Sequence, residues 1–371
     1  MNRVLRLGIL ASLLYASLGA SDKKIETCCP CTGCTCVSTQ KSVPEKTASK
    51  KPIPVLILIA LPGSGKSEIR KYLNSIPLEK RIEEFHVGTM AELDDFPYVF
   101  FMRRASEEAI KLGLDGFFFL SPALPFREPR DWGTLTHLLN DDYADIVNNK
   151  IASAPKSAAQ WLFDRIDTAR KKVGAAPVFS TLSRDIKTSL EKAVEKDARK
   201  IFDEKVAEIK KAATIKERTV VIEFSRGGAD SAPFPLPKPY GYQYTLSELS
   251  PALLDNASIL YVWVTPEESR RKNDARANPN DPGSVLNHCV PKAVMYTEYG
   301  CDDIDWLLQH TDKAHTVRIT KNGKIWHVPL ARFDNRQDKT TFVHGEKAQW
   351  QQKDILALHD GLAEAFSHMH S

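Results

Sequence analysis

The apolar run Pro54-Val55-Leu56-Ile57-Leu58-Ile59 leads directly into Ala60-Leu61-Pro62-Gly63-Ser64-Gly65-Lys66-Ser67, and then into Glu68-Ile69-Arg70-Lys71-Tyr72-Leu73. A buried strand, a glycine turn and a helix in immediate succession restrict the chain to folds built from βα units. The turn has the residue types of an anion cradle. Its glycines let backbone N–H groups point inward, Lys66 brings a cation, Ser67 brings a hydroxyl suited to Mg²⁺, and a helix N-terminus faces the same space. Leu61, Pro62, Gly63, Ser64, Gly65, Lys66 and Ser67 are therefore the expected contacts of a nucleoside triphosphate, with ATP and Mg²⁺ as the expected ligands and Ser67 as a metal ligand. Such a loop usually opens with Gly. Ala60 is tolerated there because the close approach to phosphate falls on Gly63 and Gly65.

Further along, apolar runs alternate with helical patterns. Strands are predicted at 55–60, 116–120 (with Phe117, Phe118 and Phe119), 219–224, 258–264 and 324–328, with another near 85–87. The alternation predicts an α/β fold, a mostly parallel sheet of about five strands wrapped by helices. Between residues 155 and 217 the sequence turns to long Lys/Glu/Ala-rich helices, one over 185–211. They predict a helical insertion or protruding hairpin with a solvated face.

The N-terminus has a different character. Arg3 and Arg6, an apolar stretch from Leu7 to Leu18 and the small residues Gly19, Ala20 and Ser21 have the layout of a secretory signal, too short to span a membrane comfortably. Residues 1–20 are thus expected to act as a signal peptide or short anchor, making the protein exported or membrane-associated; a cytoplasmic location is the alternative. Five of the seven cysteines crowd into Cys28, Cys29, Cys31, Cys34 and Cys36. The cluster has one C-x-x-C step and no second pair or His at zinc spacing, so residues 21–52 read as a Cys-rich segment and polar linker ahead of one domain over 53–371. The formal net charge of +4 is mild and sits largely in the signal and linker, so no nucleic-acid partner is expected.

The loop with Pro62 inside it, and the later segment Ile259-Leu260-Tyr261-Val262-Trp263-Val264-Thr265-Pro266-Glu267-Glu268-Ser269-Arg270-Arg271-Lys272-Asn273-Asp274-Ala275-Arg276, resemble the nucleoside and nucleotide kinase branch of the P-loop NTPases. The stretches Asp95-Phe96-Pro97-Tyr98, Phe126-Arg127-Glu128-Pro129-Arg130-Asp131-Trp132-Gly133 and Asn140-Asp141-Asp142-Tyr143 resemble uncharacterised bacterial P-loop proteins. The likeness covers residues 53–330 and implies a P-loop NTPase fold, with an Arg-rich helix leading into a lid over the transferred phosphoryl group. It implies no particular acceptor.

Phosphoryl transfer needs a metal, cations to spread charge and a carboxylate to orient the attacking hydroxyl. Glu223 ends a Val-Ile strand, where a carboxylate faces the glycine loop and can hold Mg²⁺ or act as base, with Arg226 three residues on. Deoxynucleoside kinases carry a comparable acidic-then-Arg element at a different spacing. Asp94 and Asp95 fall where the resemblance places acceptor-binding carboxylates; Asp95 is expected to cap the helix near Pro97, leaving Asp94 for the acceptor. Arg103 and Arg104 follow two turns later. Arg270 and Arg276, six apart and not on one helical face, are the expected clamps at the two ends of their helix. The loop 232–242, rich in Pro and aromatics, is expected to cover a ligand or to offer a polyproline segment to a partner. His137, His288 and His327 have no ligand spacing and read as structural.

These residues predict an ATP- and Mg²⁺-dependent kinase of an unidentified small molecule or nucleotide, with Lys66, Ser67, Asp94, Glu223, Arg226, Arg270 and Arg276 at the transfer site. The alternative is a nucleotide-binding regulatory or assembly protein that hydrolyses ATP slowly and engages a protein partner.

Overall fold

The computed structural model describes residues 51–275 and 289–369. The expected signal or anchor, the cysteine cluster, His288 and Arg276 lie outside the described residues. No described helix is long and apolar enough to cross a membrane.

Six strands form one sheet: β1 (Val55–Ile59), β2 (Thr89–Asp94), β3 (Arg218–Phe224), β4 (Ala257–Trp263), β5 (Thr316–Lys321) and β6 (Lys324–Asp334), in the order β2-β3-β1-β4-β6-β5. All neighbours are parallel except the β5/β6 pair. β1 is central, with Ile57 registered against Ile222 and Ile259. It is buried on both faces, as its unbroken apolar sequence requires of an inner parallel strand. Val55, Ile57 and Ile59 enter one core with Ile222, Ile259 and Tyr242. Leu56, Leu58 and Ala60 enter a second core with Ile69 and Leu73 of α1 (Lys66–Ser75) and with Leu358, Leu362 and Phe366 of the last helix, Gln352–Ser367.

Two strand predictions are corrected. Residues 116–120 form no strand. Phe118 and Phe119 are wedged among helices, and their N–H groups are satisfied by Ser106 Oγ at 2.9 and 3.2 Å instead of by a ladder. Phe85 ends a helix (Leu78–Phe85) and His86 takes a left-handed φ of 54°, so the strand begins only at Thr89. The sixth strand, β5, escapes an apolar-run search because it alternates at the sheet edge, with Arg318 and Thr320 exposed.

Four more helices frame the site: α2 (Phe96–Lys111), α3 (Asp131–Val147), α4 (Ala158–Lys172) and α5 (Arg184–Ala213). The predicted insertion does not protrude. Leu190, Val194, Ala198, Ile201 and Phe202 of α5 recur every three to four residues and join one core with Phe101 of α2 and Leu162 and Phe163 of α4. From β1 the chain moves to β2 on one side, whereas from β3 it crosses to β4 on the other, so the carboxyl ends of β1 and β3 bound a crevice at the reversal point.

Candidate active site at the ends of β1 and β3

The chain leaves β1 through Gly63 and Gly65, whose φ angles of +73° and +99° favour glycine. Space is equally strict. A Cβ on Gly63 would meet the backbone N of Asn273 at 3.0 Å, and one on Gly65 would overlap Thr340 Oγ1. Asn335, just beyond β6, donates to Ser64 O at 2.8 Å and to Thr340 Oγ1 at 2.8 Å, and Ser269 Oγ donates to Pro62 O at 2.7 Å. The loop is thus braced from two distant segments and enters α1 with Lys66 and Ser67 in its first turn.

Lys66 is buried, and its Nζ donates to Ser225 Oγ at 2.8 Å and approaches Leu61 O at 3.5 Å. Ser67 Oγ donates to Glu223, 3.2 Å from Oε1 and 3.4 Å from Oε2. One turn on, Arg70 ties together two strands: its Nε is 2.9 Å from Glu223 Oε2 and its Nη1 is 2.7 Å from Glu92 Oε2. Glu223, Ser225 and Arg226 therefore all emerge where β3 ends beside the glycine loop.

The helix entry is held by Asp94 and not by Asp95 as expected. Asp94 accepts the Phe96 N–H at 2.7 Å, holding the entry to α2. Asp95 stands at the helix cap position but makes no capping bond; its carboxylate pairs with Arg226 Nη1 at 2.7 Å. Arg226 is 2% exposed, lies over the rings of Trp132 and Phe224 at 4.9 and 5.2 Å, and also donates to Ser225 O. A guanidinium this deep needs a fixed carboxylate, and Asp95 is the one in reach. Burial pushes the Asp94 carboxyl up to about 7, reinforced by the nearby charges of Glu223 and Asp95 and opposed by Arg70. Burial raises Asp95 too, against the pull of Arg226.

Lys66, Asp94, Asp95 and Glu223 line one cleft. Its far wall is aromatic: Phe119 stacks on Phe126 at 4.5 Å, Trp132 meets Phe126 edge-on at 5.0 Å, and Tyr299 meets Trp132 edge-on at 5.7 Å. Arg103 lines the cleft with its guanidinium 3.9 Å above Phe119 and Nη1 donating to Pro122 O at 2.8 Å. Glu298 completes the wall.

Arg270 is not brought to this cleft: it pairs with Glu267 at 3.2 Å and lies 4.6 Å over Tyr296. Arg104 is likewise held by Glu107 and Glu108. The 232–242 loop contributes no lining residue, but Tyr242 at its end donates to Ala60 O at 2.9 Å and accepts from the Arg226 N–H at 3.2 Å. Sequence reasoning missed Ser225, Arg70, Asn335, Thr340 and Glu298. Only Arg70 carried a signal, since it lies three residues after Ser67 and so on the same helical face.

Among the described residues, no group of three or more His, Cys, Asp or Glu side chains gathers as a metal cage. Ser67 and Glu223 nonetheless offer adjacent hard oxygens. One or two protein oxygens completed by water and ligand phosphate is the habit of Mg²⁺, so this pair fits that ion. Comparison with family models, curated proteins and solved structures gives no match.

Proposed function

We propose that the chain is a P-loop kinase that transfers the terminal phosphoryl group of Mg·ATP to a hydroxyl of a small molecule. The observation that carries this reading is the junction of two features. Lys66 and the Ser67–Glu223 pair sit beside the glycine loop, and the same Lys66 and Glu223 line a cleft that runs on to an aromatic wall. A purely regulatory nucleotide-binding protein would have no use for a second, walled compartment opening onto the cationic end of its phosphate site.

In this reading the backbone N–H groups from Gly63 to Lys66 and the α1 N-terminus cradle the phosphates, and Lys66 leaves Ser225 to reach the terminal oxygens. Mg²⁺, held by Ser67 and Glu223, would neutralise charge on the phosphates. The acceptor oxygen bonds to the γ-phosphorus while the bond from that phosphorus to the bridging oxygen breaks, so ADP departs with the bridging electrons. The acceptor proton passes to Asp94, whose environment holds its carboxyl near neutrality. Asp95 and Arg226 act behind this layer by fixing the end of β3.

The test is acceptor-dependent ATP consumption. A metabolite panel should contain compounds that accelerate ATP loss by the full-length protein in Mg²⁺ and become phosphorylated. Basal hydrolysis altered only by protein partners would replace this reading with the regulatory one.

A further inference from the structure

Glu298 is the carboxylate that the transfer chemistry leaves unused. It follows the short helix Lys292–Thr297 and is 3% exposed, yet it lines the cleft. Oε1 accepts from Trp132 Nε1 at 3.2 Å, and Oε2 has no hydrogen-bond partner among the described residues. Oε2 is not sealed from solvent, so in this cleft it is free to accept from a donor that a ligand brings. Burial pushes this carboxyl up to about 7 against the Trp132 hydrogen bond and the pull of Arg103 and Arg226, and a cationic or strongly donating ligand would favour its charged form further.

Asp94, Asp95, Glu223 and Glu298 line the cleft, against Lys66 and Arg103. Arg103 lies over Phe119 and donates from Nη1 to the carbonyls of Pro122 and Leu124. Phe119, Phe126, Trp132 and Tyr299 instead offer apolar surface and ring faces, which favour a flat or cationic body.

We propose that Glu298 selects the acceptor, and that this acceptor is a hydroxyl compound bearing an ammonium or N–H donor. The claim rests on the kinase reading for the word acceptor, but the binding preference stands on the cleft alone.

Binding without nucleotide therefore separates the two. Calorimetry on the full-length protein uses a probe pair that differs in one group: glucosamine with glucose. Glucosamine should bind at least about tenfold more tightly than glucose, the usual worth of a charge-assisted hydrogen bond. Glu298→Gln, which keeps the shape and the Trp132 contact, should bring glucosamine down to glucose while leaving the melting temperature unchanged or higher. The proposal is overturned if glucosamine binds no more tightly than glucose, if Glu298→Gln preserves the glucosamine preference, or if glucosamine does not bind at millimolar concentration. In each of those cases Mg·ATP binding and turnover with another acceptor would leave the kinase reading standing.

Discussion

Ser67 Oγ lies 3.2 Å from Glu223 Oε1, which joins the first turn of α1 to the carboxyl end of β3 across residues far apart in sequence. Arg70 holds the same carboxylate from the next turn at 2.9 Å. If this pair organises the metal and the reacting oxygens, Glu223→Gln keeps shape and removes charge. Nucleotide should still bind, while transfer to an identified acceptor falls by roughly 10²–10⁴-fold. Paired calorimetry and turnover measurements check the separation, and wild-type turnover in the folded variant would remove Glu223 from the chemistry.

Asp95 and Arg226 make a second testable pair. Arg226→Ala strands the Asp95 carboxylate in a buried site and should cost about 3–5 kcal/mol of stability in urea unfolding. Asp95→Asn combined with Arg226→Met, which removes both charges, should recover most of that loss. A single-variant cost below about 1 kcal/mol would show that the pair is not structurally coupled.

Gly65→Ala should be poorly tolerated for two independent reasons, the φ of +99° and the overlap of a Cβ with Thr340. Strain alone is worth on the order of 1–2 kcal/mol. Thr340→Gly should relieve the overlap with Thr340 but neither the 2.9 Å approach to Asn335 Nδ2 nor the backbone strain, giving partial rescue of the melting temperature. Full rescue, or no effect of Gly65→Ala, would contradict the braced-loop description.

The acid pair sets a pH dependence. Burial raises Asp94 and Glu298 to about 7, well above their values in an unfolded chain. Between those values the folded state binds more protons, so this contribution is complete at acid pH and is lost as pH rises through about 7. Stability should therefore decline from about pH 5 to about pH 8, and Asp94→Asn with Glu298→Gln should flatten the decline. Some slope should persist, because burial also holds Asp131 and Asp302 near 6. A double variant with an unaltered profile would refute the assignment.

The parts of this molecule legible in its sequence were those fixed by local pattern. β1, β3 and β4 read correctly because inner parallel strands are apolar on both faces, and the glycine turn because its conformation demands glycine. Residues 116–120 misled because three phenylalanines in a row satisfy a helical layer as well as a sheet, and only the position of Ser106 decides between them. That Asp94 holds the helix entry while Asp95 pairs with Arg226 was invisible because adjacent carboxylates have the same local chemistry. What separates them is a guanidinium more than a hundred residues away. Glu298 was likewise unreadable, since its significance comes from burial beside Trp132 and not from any neighbour in sequence.

The central claim is that the glycine loop binds nucleotide through Lys66, and calorimetry of Mg·ATP with the full-length protein and with Lys66→Ala tests it most directly. The account predicts saturable binding to the wild type, weakened by Lys66→Ala by about 1.5–3 kcal/mol, or roughly one to two decades in Kd. A folded wild-type protein that takes up no Mg·ATP, or a folded Lys66→Ala protein that binds it equally well, would contradict it.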